Sequence, residues 1–350
     1  MSGNGFSAIE ARAFSTLPQL MSLDLSGNPI NYIDDRAFEG LGNIQTLSLT
    51  DMKLKSIRQP FKEVPTVSSL NLGYNLLTRV ENDDFENNEG IRVLDLSNNR
   101  ISIIETGAFR NLKALRYLIM KNNPLMEAKN LRFSSRMLQL VDFTNCNLKE
   151  VPTKLPDSVA DFRLGNNGIT EVKVTDFQNM TRLRLVTLNN NNLQKVEYKS
   201  FMTNKNLKEI WLSHNSLPFL PRGLPANLMK LYIDYNDVYK IEDGLFDPEA
   251  KLEILSLEMN NVMNIEINAL KGLKHLKSVN LQGNNIERLP MMTFSDLSNL
   301  DTLTLSNNPL RIIDRGSFKQ LPSLTTLELS YLRAKDAFVG EDFLDGVKSA

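Results

Sequence analysis

The sequence predicts an α/β solenoid, with a parallel β-sheet lining a concave side and a mostly irregular convex side. Three observations predict it. Residues 91–101, IRVLDLSNNRI, hold Ile91, Leu94, Leu96, Asn99 and Ile101 in slots that return all along the 350-residue chain. The core of the unit alternates apolar and polar residues, as a half-buried strand does. An asparagine closes it, at Asn28, Asn75, Asn99, Asn123, Asn167, Asn191, Asn215, Asn236, Asn260, Asn284 and Asn308, with Met52, Cys146 and Leu332 as substitutes. Its side chain carries a donor and an acceptor, which suits a turn whose backbone groups would otherwise go unpaired. One such unit cannot bury its apolar face alone, whereas a stack can.

Taken in order, the elements fit one solenoid over 1–350. Asn4 and Phe6 match the end of a preceding repeat whose strand half is missing, so the chain is expected to be a fragment of a longer protein. About 14 repeats follow between 20 and 334, spaced by 24 residues except for two steps of 23 and two of 21. Between strands a phenylalanine recurs, from Phe14, Phe38 and Phe61 through Phe133 and Phe246 to Phe294 and Phe318, and is expected to stack as a core spine. The two short repeats lack it. They carry Pro152 and Pro156, and Pro218, Pro221 and Pro225, which predict extended outer segments where other repeats make short helical turns. The pattern decays after Leu329, leaving a degenerate tail at 335–350.

Composition narrows the function. With 40 basic and 41 acidic residues the net charge is −1, which gives no basic surface for nucleic acid. No apolar run is long enough to span a bilayer, so contact with a membrane is expected only through segments outside this chain. Enzyme chemistry finds no support. His214 follows Ser213, but neighbouring strand residues point to opposite sides, and His275 lacks a thiol or carboxylate cluster. No phosphate loop or metal spacing occurs, and no cofactor or small-molecule substrate is expected. The single cysteine, Cys146, stands in the asparagine slot as a buried structural residue, with a reactive thiol as the alternative.

The 24-residue unit, with I-x-x-x-A-F-x-x-L-x-x-L at 9–20 and 104–115, resembles the typical repeat of animal extracellular leucine-rich-repeat proteins. The 21-residue units resemble the short repeats of small leucine-rich proteoglycans. The resemblance implies a leucine-rich-repeat horseshoe that is secreted or on the cell surface and binds a protein ligand, a matrix component or a receptor. An ectodomain fragment of a Toll-like signalling receptor, dimerising on ligand, is one alternative. An intracellular, cytoplasmic scaffold is another. The cysteine clusters that usually cap such solenoids are absent from this chain.

Strand alternation also predicts the exposed face. Its central slot is mostly small or polar, but Trp211 and Tyr232 occupy it in consecutive repeats, roughly 5 Å apart at the backbone. Leu185, His214, Tyr235, Ile254 and Met259 are expected around them. Aromatic and methionine side chains on an open face mark a protein-binding centre; simple cross-strand packing is the other reading. A possible acidic patch comprises Asp24, Asp95 and Asp142, the last beside Arg163. Asn179-Met180-Thr181 is a sequon, with Asn179 expected to face solvent and to accept a glycan if the chain is secreted.

Overall fold

Residues with a leucine, valine or isoleucine every second position form short parallel strands, and each strand's central side chain goes inward. The computed structural model describes residues 1–57, 60–332 and 338–339. The expected degenerate tail and Ala334 lie outside the described residues, save the backbone of Phe338–Val339. The chain folds as a parallel-sheet β-solenoid of about 13 turns with almost no helix. Packing divides it into two units, Met1–Gly168 and Ile169–Ala350.

In the first unit the main strands run from Ser22–Asp24 through Thr46–Ser48, Ser69–Asn71, Val93–Asp95, Tyr117–Ile119 and Leu140–Asp142 to Asp161–Arg163. Leu23, Leu47, Leu70, Leu94, Leu118, Val141 and Phe162 stand in one register row, all buried. In the second unit they run from Leu185–Thr187 through Glu209–Trp211, Lys230–Tyr232, Ile254–Ser256, Ser278–Asn280 and Thr302–Thr304 to Thr326–Glu328. Val186, Ile210, Leu231, Leu255, Val279 and Leu303 form the matching buried row. Each such side chain stabilises the fold by about 1.5–3 kcal/mol through the apolar surface it removes from water.

The asparagine slot does what its chemistry predicts, in both units. Asn99 Nδ2 donates to Leu72 O at 2.9 Å and to Leu96 O at 3.0 Å, while its Oδ1 accepts from Leu77 N–H at 3.1 Å. Asn284 repeats this with Leu257 O, Leu281 O and Val262 N–H at 2.8, 3.0 and 2.9 Å. Cys146 fits the same place: it is fully buried, its thiol donates to Met120 O at 3.2 Å, and burial pushes its pKa up to about 12. That is the structural role, and a thiol held neutral is a poor nucleophile.

The phenylalanine spine stacks in both units, as in Phe14–Phe38 and Phe109–Phe133, and in Phe177–Phe201 and Phe294–Phe318. Phe133 and Phe246 are only half-buried, and at the latter Leu245 supplies the buried side chain. Outer segments are runs of turns bonded from residue i to i+3, such as Ala37 N–H to Asp34 O and Leu41 N–H to Phe38 O. One of them, Pro60–Glu63, is a 3-10 helix. Residues 151–156, in the first proline-bearing short repeat, carry no regular secondary structure. Past the asparagines a second series of two-residue parallel strands forms, for example Arg79–Val80 with Ile103–Ile104 and Lys240–Ile241 with Asn264–Ile265.

Candidate protein-binding face

On the open face of the second unit, strand register sorts the side chains into rows. One row holds Leu185, Glu209, Lys230 and Ile254. The next holds Thr187, Trp211, Tyr232 and Ser256. The Trp211 and Tyr232 ring centroids lie 4.6 Å apart and tilted by 44°, and Trp211 is 38% exposed. Trp211 Nε1–H points to Glu209 Oε2 at 3.4 Å, and Glu209 Oε1 accepts from Lys230 Nζ at 2.8 Å. That hydrogen bond, and then the charge of Glu209, hold the Lys230 ammonium above its usual pKa. Leu185 and Ile254 flank this ion pair, in the row beside the aromatic one. They are half-buried and extend the apolar surface one row away.

His214 and Tyr235 stand at the strand ends, one place ahead of the half-buried Asn215 and the buried Asn236. Their rings stack at 4.4 Å and 11°, and both are exposed. Met259 occupies the equivalent place in the next repeat and lies over Gly283, where an added Cβ would meet its sulfur at 2.5 Å. His214, Tyr235 and Met259 all have left-handed backbone, with φ of 57°, 54° and 51°. Glycine and asparagine suit that conformation; bulky side chains are strained in it. Backbone strain concentrates at functional sites when the surrounding structure holds it in place.

The sequence reading missed the polar row between these aromatics: Ser213, Asp234 and Glu258. Asp234 accepts from Glu258 N–H at 2.9 Å and from the Ser213 and Ser256 hydroxyls. Glu258 Oε2 accepts from Asn280 Nδ2 at 3.0 Å. The signal was present, since these residues stand two places after the central slot and so face the same side.

The acidic residues of the first unit are placed differently. Asp24 and Asp95 share a register row but stand apart, with Ser48 and Asn71 between them. Each caps its own strand end: Asp24 accepts from Ser26 N–H at 3.0 Å, Asp95 from Ser97 N–H at 2.8 Å and Asp142 from Thr144 N–H at 2.9 Å. The Ser26 hydroxyl and amide hold the Asp24 carboxyl below its usual pKa. Asp142 is buried, and Arg163 beside it pairs with Asp161 at 2.8 Å instead. Asn179 is exposed while Met180 is buried, so the sequon presents its asparagine to solvent.

Comparison with known proteins bears on the family and the fold. The chain is 31% identical to lumican of Homo sapiens over 154 residues, 43% of this chain and 45% of lumican. It is 28% identical to keratocan of Homo sapiens over 204 residues, 56% of this chain and 51% of keratocan. The chain thus spans about half the length of the curated relatives it matches. A leucine-rich-repeat protein of Leptospira interrogans superposes with a TM-score of 0.77 at 24% identity, covering 94% of this chain and 82% of that one. Toll, in its complex with Spatzle from Drosophila, gives 0.66 at 21%, covering 89% of this chain and 47% of that one. At such identities the likeness is one of fold. The family described as Leucine rich repeat matches residues 1–54, 65–125, 157–221, 226–286 and 274–331, and the chain belongs to it.

Proposed function

We propose that this chain is a non-catalytic binding or adhesion module, extracellular or on the cell surface, that recognises a protein ligand through the open face of its second unit. Trp211 and Tyr232 are the anchors, and His214, Tyr235 and Met259 extend the contact. The observation that carries this reading is the exposed pair of aromatic stacks, 4.6 and 4.4 Å between centroids, on adjacent strands. Large rings with a polar handle are preferred as binding hot spots. The extracellular assignment is supported by the similarity to lumican and keratocan and by the exposed Asn179.

Expression in secreting animal cells tests the compartment: the chain, led by a signal peptide, reaches the medium with Asn179 glycosylated. Retention inside cells without a glycan, even when so led, contradicts that part. Binding to cell-surface or matrix proteins tests the face. The double variant Trp211→Ala/Tyr232→Ala binds about 100-fold more weakly. Its melting temperature falls by only about 2–4 °C, because a half-exposed ring pair contributes little to the fold. Undiminished binding overturns the proposed face.

A further inference from the structure

We infer that the partner presents an arginine, whose guanidinium enters the slot between the Trp211–Tyr232 pair and the His214–Tyr235 pair and meets Asp234 and Glu258 there. This rests on the reading of that face as the binding surface. The aromatic rings define the place, and the charge between them defines the occupant.

Asp234 follows Tyr232 by two residues and precedes Tyr235 by one, so its carboxylate rises between the two aromatic rows. Glu258 is its neighbour on the adjacent strand, and both are half-buried. Their partners are hydroxyls, an amide side chain and one backbone N–H; among the described residues no ion pair includes either of them. Nearby carboxylates behave otherwise: Glu209 pairs with Lys230 and Glu253 with Lys277, each at 2.8 Å. The face therefore pairs its neighbouring carboxylates with lysines and leaves two half-buried carboxylates, in the row between the rings, without a cationic partner among the described residues.

Ring faces are themselves electron-rich, so rings and carboxylates favour the same ligand, a cation. Guanidinium suits the slot better than ammonium. It is planar, stacks on Trp and Tyr, and offers a fork of donors to carboxylates. A polyanion such as a sulfated glycan would meet like charge here, which disfavours it as the ligand of this face.

Trp211 is the only tryptophan, so its fluorescence reports from the wall of the slot. The whole chain is titrated with a capped Gly-Arg-Gly peptide and with its lysine and citrulline counterparts. The arginine peptide gives a saturable change, the lysine peptide a weaker one, and the neutral citrulline peptide binds at least tenfold more weakly. Glu258→Gln loses roughly tenfold in arginine affinity with an unchanged melting curve. Asp234→Asn keeps one acceptor oxygen for the Glu258 amide and behaves likewise, and added salt weakens the arginine signal in the parent chain. Equal titrations with arginine and citrulline, an unaltered Glu258→Gln titration, or no saturable arginine signal each overturn the inference. None of these touches the wider reading, which the Trp211/Tyr232 double variant decides against whole-protein ligands.

Discussion

The place just ahead of the asparagine slot is left-handed in both units, and three consecutive repeats of each unit fill it differently. In the first, Asn98, Asn122 and Asn145 have φ of 55°, 60° and 54°, and their side chains bond one to the next at 2.7 and 2.9 Å. Asparagine tolerates that backbone and closes its own hydrogen bonds, so this row serves the fold. In the second unit His214, Tyr235 and Met259 accept the same backbone with no such compensation, and present rings and a thioether to solvent. The same frame thus carries a bonded amide row in three repeats of one unit and a strained, exposed row in three repeats of the other. Strain kept in three consecutive repeats beside an exposed Trp–Tyr pair is the feature on which the proposed binding face rests.

The largest effect should be common to both units. Asn123 and Asn284 are fully buried and each serves several backbone groups. Replacing either by alanine leaves those groups unpaired and lowers stability by about 3–5 kcal/mol, measured by denaturant unfolding. A clear inequality between the two would show that the frames differ, and would break the comparison at its base.

The next effect has opposite signs for stability and binding. The triple variant His214→Asn/Tyr235→Asn/Met259→Asn relieves left-handed strain and gains about 1–3 kcal/mol of stability. It also loses ligand affinity. A triple variant that is less stable than the parent contradicts the strain argument. Smaller still is Asp95→Ala in the first unit, which removes a charge-assisted strand cap and lowers stability by about 1–2 kcal/mol while leaving binding unchanged.

A pH effect tests one outer position of the first unit, whose backbone bond has a counterpart in the second. Asp84 accepts from Glu81 N–H at 2.7 Å and Asp176 accepts from Lys173 N–H at 2.7 Å. Burial first, then Glu81, Glu105 and Asp83, push Asp84 up to about 6 from 3.8. Its folded-state pKa is raised, so its contribution to stability is present below pH 3.8 and is lost as pH rises through about 6. Asp84→Asn therefore raises the melting temperature at pH 7, with the gain shrinking toward pH 4. An equal gain at both pH values would contradict the shift.

Much of this comparison was legible in the sequence. The asparagine slots, the buried strand centres and the neighbouring Trp211 and Tyr232 follow from a repeat that holds its phase. Leu185 and Ile254 were expected in slots flanking the central one, and the strand register places them there, beside Glu209 and Lys230. Asp234 and Glu258 went unseen because attention to the central slot passes over the next outward position. Left-handed backbone at His214, Tyr235 and Met259 is a property of the turn; its signal lay in other repeats, where Asn98, Asn122, Asn190, Gly283 and Asn307 fill the same slot. The two-residue strands past the asparagines are too short to show alternation.

The central claim is that the second unit's aromatic rows bind while the first unit's amide row holds the fold. Binding to cell-surface and matrix proteins, measured side by side for Trp211→Ala/Tyr232→Ala and Asn98→Ala/Asn122→Ala, tests it most directly. The account predicts that the aromatic variant loses about 100-fold in affinity and that the amide variant binds as the parent does but melts earlier. Equal binding by both variants, or equal loss in both, would contradict it.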